Sequence, residues 1–235
     1  MRIAVITDAH ANLQALRAAL AEIRRIGVDA VYHTGDAIGI GPQPAEVLDA
    51  LLGEPGMRLV MGNHDEWFAA GLPEPPAWMS PGEFEHIRWV HAQLDPALRE
   101  AVAAWPYVLD EELDGVRVRF LHYPMHDGRL QPLRELATGS DADALFGPTG
   151  ADLVFYGHHH PFSDVTGAAR YVNPGSLGCH GEPLARFAVL ETRPGAGGTL
   201  AFHAVPYDAA PLLAEFARRA VPERDYILRH FMPRG

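Results

Sequence analysis

Five short runs of strand-forming residues in this chain break off the same way, each into a polar turn that carries aspartate, asparagine or histidine. Ile3 to Ile6 runs into Thr7-Asp8-Ala9-His10, Ala30 to His33 into Thr34-Gly35-Asp36, and Arg58 to Met61 into Gly62-Asn63-His64-Asp65. Further on, Val116 to Leu121 meets His122, and Leu153 to Tyr156 meets Gly157-His158-His159-His160. The runs are apolar, bounded by glycine or polar residues, and too short for ordinary helices, so they read as buried strands. Between the first two, Leu13, Leu16, Leu20, Ile23 and Ile26 recur at helical spacing, with Asn12 placed to cap that helix. A second helix runs through Val47 to Leu52. Strands alternating with helices predict a parallel sheet whose working loops lie at the carboxyl ends of the strands.

The alternation breaks from Gly71 to Pro106, where Leu72-Pro73-Glu74-Pro75-Pro76 excludes regular helix or central strand. Pro81 to Leu94 and Pro96 to Trp105 then read as two helices, either a cap inserted over the strand ends at about 71–106 or a plain connection on the flank. Trp67, Phe68, Trp78 and Trp89 are expected in the core. Asp114-Gly115 between two apolar runs predicts a hairpin of Val108 to Leu113 with Val116 to Leu121. Leu130 to Ala137 and Asp141 to Phe146 are expected to be helical, Ala169 to Val172 a strand, and Arg186 to Glu191 with Thr199 to Val205 an antiparallel pair. A last amphipathic helix covers about Pro211 to Arg219, and the tail to Gly235 carries little signal.

With 235 residues the chain can bury one sizeable core, and one domain over 1–235 is expected. The formal charge of −11 argues against a stable grip on nucleic acid, which needs clustered lysine and arginine. It leaves room for a phosphate substrate held through divalent cations, since bound ions reverse the local field. Cys179 is the only cysteine, so no internal disulfide forms. No signal peptide precedes the first strand and no apolar run has spanning length, so a cytoplasmic protein away from the membrane is expected.

Taken singly, each polar residue at a strand end is as well explained by a cap or a turn. The set is different, because a random globular chain rarely brings so many carboxylates and imidazoles to successive strand ends. If residues 157–160 stay extended, His158 and His160 share one face and His159 points away. By the same rule Asp8 and His10 face one way. Asp36 has two oxygens and could bridge two ions.

In chain order the motifs are Asp8-x-His10, Gly35-Asp36, Gly62-Asn63-His64-Asp65, His122 and Gly157-His158-x-His160. This series resembles the signature of the calcineurin-like metallophosphoesterase superfamily from Arg2 to about Glu191, in the superfamily's order. The likeness is greatest to small bacterial stand-alone members with a Val172-Asn173-Pro174-Gly175-Ser176 turn. The resemblance implies an α/β fold, a four-layer α/β/β/α sandwich of two mixed sheets flanked by helices. It implies that Asp8, His10, Asp36 and His160 hold one metal and Asp36, Asn63, His122 and His158 another. His64 is then the non-ligand histidine that protonates the leaving oxygen. Mixed imidazole and oxygen donors suit two divalent transition-metal ions, Mn, Fe, Zn, Co or Ni, better than Mg or Ca. A hydroxide shared by the two ions would attack phosphorus in line.

Departures from the pattern narrow the substrate. Gly35 to Gly41 lacks both the arginine of the GD-x-x-x-R-G form and the aspartate three residues after Asp36, which disfavours protein phosphatases and symmetrical dinucleoside tetraphosphatases. His122 is followed by Tyr123-Pro124 where relatives carry glycine, and His159 stands in place of threonine. His126, Arg129, Arg170 and Arg186 read as surface groups, His33 as a neighbour of the bridging aspartate, and Cys179 as a small packed residue. The expected function is hydrolysis of a small phosphodiester, cyclic nucleotides included. The alternatives are a phosphomonoesterase or nuclease, or a metal-stabilised binding module without turnover. No oligomeric state is predicted.

Overall fold

In the computed structural model the first third of the chain alternates as the pattern demands. β1 (Arg2–Ile6) leads through α1 (Leu13–Ile26), β2 (Ala30–His33) and α2 (Pro44–Leu52) to β3 (Met57–Leu59). Residues 1–72 and 74–233 are described; Pro73 of the expected Leu72 to Pro76 break, and Arg234 and Gly235 of the expected tail, lie outside the described residues. Asn12 caps α1 by accepting the Ala15 N–H at 3.1 Å, and Gly27 ends it in the left-handed conformation, φ 75°.

α3 (Asn63–Ala70) begins directly after the third strand, followed by α4 (Pro81–Ala92) and α5 (Leu98–Ala103). The hairpin β4 (Val108–Leu113) and β5 (Val116–Leu121) has the expected bounds. Next come the short pair β6 (Met125–His126) and β7 (Arg129–Leu130), then α6 (Gly139–Phe146), β8 (Leu153–Phe155), β9 (Ser163–Thr166) and β10 (Arg170–Asn173). The long antiparallel strands β11 (Leu184–Arg193) and β12 (Gly197–Pro206) precede α7 (Ala210–Arg218) and α8 (Arg224–His230).

The strands form two mixed sheets, ordered β12-β11-β1-β2-β3 and β4-β5-β8-β10-β9. β1, β2 and β3 are parallel, and β11 closes against β1 antiparallel. Side chains alternate across the first sheet with period two. Ala4 and Ile6 pack under α1 and α2 with Leu16, Leu20 and Leu48. Ile3, Val5 and Tyr32 face the second sheet and meet Val118, Phe120 and Phe155, with Tyr32 stacked on Phe120 at 4.0 Å between ring centroids. The outer face of the second sheet, Val154, Tyr156 and Tyr171, is covered by Leu136, Ala142 and Leu145, the last two on α6. The order of layers is therefore α/β/β/α, as the resemblance implied.

Two expectations are corrected. Leu130 to Ala137 is not helical: Asp127 and Gly128 adopt φ of 49° and 71° and turn the chain into the β6–β7 hairpin. Gln131 N–H is then spent on the Pro124 carbonyl, and Pro132 has no N–H to offer a helix. The tail is not featureless, since α8 docks Ile227 onto Leu212 and Phe216 of α7. Among the described residues no helix is long and apolar enough to cross a membrane.

Candidate metal centre

The polar strand ends converge. Asp8, His10, Asp36, Asn63, His64, His122, His158 and His160 gather at the carboxyl ends of β1, β2, β5 and β8 and the start of α3. His10, Asp36, Asn63, His64, His158 and His160 form the floor of a cavity of ≈1180 Å³. Asp8 and His122 lie within that floor, 0% and 2% exposed.

The backbone that aims these groups is not extended. Asp8, His10, Asp36, His158 and His160 have φ of 50°, 44°, 58°, 67° and 65°, a left-handed conformation that costs roughly 1–2 kcal/mol for a residue with a Cβ. His158 and His160 do both face the cavity and His159 does not line it, but because each adopts a left-handed conformation on either side of His159 rather than by strand pleat. Backbone bonds between loops hold the arrangement. Asp8 N–H donates to the Gly35 carbonyl and His10 N–H to that of Asp36, both at 3.0 Å, and Gly178 N–H donates to the Asp8 carbonyl at 2.9 Å. Gly157 is required by proximity, because a Cβ there would run into Thr7 Oγ1 and Asp8 Oδ2.

Donor atoms lie in overlapping clusters, His10 with His160 and Cys179, His10 with Asp36 and His64, and Asp36 with His122 and His158. His10 Nε2 lies 3.0 Å from His160 Nε2 and 3.7 Å from both Asp8 Oδ1 and Asp36 Oδ2. His160 Nε2 is also 3.7 Å from Asp8 Oδ1. On the other side, His122 Nε2 stands 3.3 Å from Asp36 Oδ2 and 3.1 Å from Asn63 Oδ1, and the donors of Asp36, His122 and His158 are mutually within 4.8 Å. Atoms coordinated at ~2.1 Å around one ion stand about 3.0–3.4 Å apart at tetrahedral or right angles; the His10–His160, His122–Asp36 and His122–Asn63 separations fall in that range, and the 3.7 Å ones lie just outside it. The expectation that Asp36 would bridge with its two oxygens is refined: Oδ2 alone faces both His10 and His122, while Oδ1 accepts the His64 N–H at 2.9 Å.

Tautomers and charge suit cations equally well. His10 Nδ1 lies 3.3 Å from the Ile38 carbonyl and His122 Nδ1 2.9 Å from that of Thr34, contacts that place the proton on Nδ1 and turn Nε2 inward as a donor atom. Burial lowers His10, His64, His158 and His160, that of His158 to about 3, so all four are neutral at pH 7, the form that binds metal. Burial raises the Asp8 carboxyl. Burial alone would raise Asp36 too, but His122, His64 and His10 outweigh it and hold that carboxyl well below the usual range. Burial also opposes charge on His122, yet Asp36 and Asp8 push it up to about 9. Left to itself, the protein answers Asp36 with a proton on His122, which marks a place where positive charge is wanted.

Asp65 is committed to backbone donors. Its carboxylate accepts N–H groups of Asp36, Ala37, Ile38 and Gly62 at 2.8–3.3 Å and so ties the Asp36 loop to the start of α3. Burial and the Asp36 carboxylate push it up to about 7. His33 accepts the Gly35 N–H at Nδ1. Cys179 is buried, its Sγ within 4.8 Å of the His10 and His160 donors, and burial with Asp8 and Asp36 raises its thiol well above the usual value. It packs with Leu212 and Phe216.

Three walls rise from the floor. Trp67, Trp78, Glu83 and His86 come from α3 and the segment through α4; Met125, Arg129 and Leu130 from the β6–β7 hairpin; Glu223, Tyr226 and Phe231 from α8 and its end. The first and third walls touch where His86 Nδ1 lies 3.2 Å from the Pro222 carbonyl. Segment 71–106 thus borders the cavity. Phe68 is core, as expected, but Trp67 and Trp78 line the cavity and Trp78 is 66% exposed. Arg129, expected as a surface group, stands at the rim, whereas Arg170 is paired with Asp164 and Arg186 with Glu182. Tyr226 and Phe231 were missed; the aromatic spacing in the tail was the only signal.

Residues 1–195 match the model of the calcineurin-like phosphoesterase superfamily domain. Among solved structures, a metallophosphoesterase from Sphaerobacter thermophilus is 25% identical with a TM-score of 0.74, covering 98% of this chain and 97% of its own. A hypothetical protein from Pyrococcus horikoshii has the same fold, TM-score 0.80 at 20% identity over 100% of this chain and 99% of its own. An uncharacterized protein of Methanocaldococcus jannaschii is 30% identical over 162 residues, 68% of this chain and 63% of that relative. The chain therefore spans less than two thirds of the length of that archaeal relative.

Proposed function

Because the chain belongs to the calcineurin-like phosphoesterase superfamily, whose members hydrolyse phosphate esters, we propose that it acts with two divalent transition-metal ions on small phosphodiesters. Asp8, His10, Asp36 and His160 would hold one ion and Asp36, Asn63, His122 and His158 the other; bound there, the ions would supply Lewis acidity and a water acidified to a pKa of about 7. The chain's own residues do the rest. Asp36, fixed by the Asp65-bound loop and by His64 N–H, offers Oδ2 to both halves of the floor. His64, neutral through burial, is raised again by a phosphate anion beside it, so it takes up a proton with substrate and releases it to the leaving oxygen. Water oxygen joins phosphorus as the bond to the leaving arm breaks, and that arm departs as an alcohol.

One observation carries the choice of diester over monoester. Above the floor, Arg129 is the only guanidinium lining the described cavity, against the carboxylates of Glu66, Glu83 and Glu223. Such walls accept a substrate with one negative charge and repel one with two or more. The same repulsion speeds release of the monoester dianion formed by the reaction. Bis-p-nitrophenyl phosphate should be hydrolysed with added Mn at least tenfold faster, in kcat/KM, than p-nitrophenyl phosphate. Equal or reversed rates would overturn the diester reading, and no hydrolysis of either would leave a binding module.

A further inference from the structure

Two series of aromatic rings lead outward from the floor. From His64 the path runs to Trp67, 4.7 Å between centroids, and on to Trp78 at 6.0 Å. From His160 it runs to Phe231 at 6.2 Å and on to Tyr226 at 6.2 Å. The outer members, Trp78 and Tyr226, are 66% and 54% exposed, and both line the same cavity. One exposed aromatic is unremarkable on any protein surface. Two that end separate series, each starting at a site histidine, are a different matter.

The cavity, at ≈1180 Å³, exceeds the ~300–1,000 Å³ of an ordinary small-ligand pocket, and a phosphate with two short alkyl arms would leave most of it wet. The β6–β7 hairpin adds Met125 and Leu130, and Leu133 follows it. Exposed flat rings suit planar aromatic ligands, because stacking needs only a π-face and little ordering of the protein. Resting on the phosphodiesterase reading of the floor, we propose that the substrate carries a planar aromatic group on each of its two ester arms. The leaving arm lies along Trp67 and Trp78, beside the acid His64, and the retained arm lies along Phe231 and Tyr226.

The test separates this clamp from the chemistry below it. In calorimetry on Mn-loaded protein, diphenyl phosphate should bind at least tenfold more tightly than diethyl phosphate. Trp78→Ala and Tyr226→Ala should each weaken diphenyl phosphate about fivefold or more and change diethyl phosphate less than twofold, while Trp78→Phe keeps most of the affinity. In kinetics, phenyl p-nitrophenyl phosphate and methyl p-nitrophenyl phosphate lose the same group and differ only in the retained arm. Tyr226→Ala should lower kcat/KM for the phenyl ester alone. Equal binding of the diphenyl and diethyl esters, or a preference that survives both alanine variants, would overturn the proposal. If diphenyl phosphate binds in the expected pattern and neither p-nitrophenyl ester is cleaved, the clamp stands and the hydrolytic reading falls.

Discussion

The floor of the cavity and its walls are built on opposite principles. The floor is stitched by backbone: loops after β1, β2, β5 and β8 exchange N–H and carbonyl groups with one another, Asp65 gathers four N–H groups, and five site residues sit in left-handed conformations. Apart from the backbone-paired β6–β7 hairpin, the walls are held mainly by side chains. α8 rests on the packing of Ile227 and Met232 against α7, and the contact of His86 with Pro222 joins it to α4. Backbone networks fix atoms to fractions of an ångström, as a reaction needs. Side-chain packing of loosely connected elements sets shape and selectivity, and it can change without disturbing the floor.

The sharpest way to break this contrast is at the shared carboxylate. Asp36→Asn, or chelator on the native protein, should take hydrolysis to background together with bound metal, read by elemental analysis, while added Mn restores only the chelated native protein. Next in size, His64→Ala should lower kcat by about 10²–10⁴-fold and keep the metal content of the native protein, which separates acid from ligand. A smaller effect tests the walls. His86 is 5% exposed, and burial pushes its pKa down to about 4 from about 6.5 in an unfolded chain. Since protonation favours unfolding, the stability from keeping His86 neutral is complete above about pH 6.5 and is lost as pH falls towards 4. Urea unfolding should show a loss of about 2–3 kcal/mol over that range from this group, and His86→Gln should flatten the slope. The smallest change is expected at the rim. Trp78→Ala should shift unfolding free energy by less than about 0.5 kcal/mol, as for other exposed positions.

The same contrast explains what could be read before any coordinates. The floor was legible because its chemistry is local: Asp8 with His10, or Asn63 with His64, sits at the end of a run whose period already says strand. Even there the reason was partly mistaken, since left-handed turns rather than pleat alternation turn His158 and His160 together. α3 was legible only at its start, where a helix N-terminal carboxylate explains Asp65, because the motif Gly62 to Asp65 otherwise reads as a loop while being the first turn of a helix. The β6–β7 hairpin lost to an apolar spacing from Leu130 that looked helical until Asp127-Gly128 is given its turn. Trp78 and Tyr226 were beyond reach: whether an aromatic side chain is core or rim depends on which distant element covers it, and no periodicity records that.

The position of β1 has a consequence for how the molecule is made. β1 lies in the interior of its sheet between β2 and β11, so that Ile3 is paired with both Ala30 and Leu190, and Asp8 is met from behind by Ser176 and Gly178. A growing chain can therefore pair β1 with β2 early, but one edge of β1 stays open until β11 is available about 190 residues on, and high contact order of this kind makes folding slow. Chains truncated before residue 184 are expected to aggregate or be degraded, not to accumulate as half-built enzymes, and a ribosome-stalling series scored by protease resistance would show protection arriving in one late step.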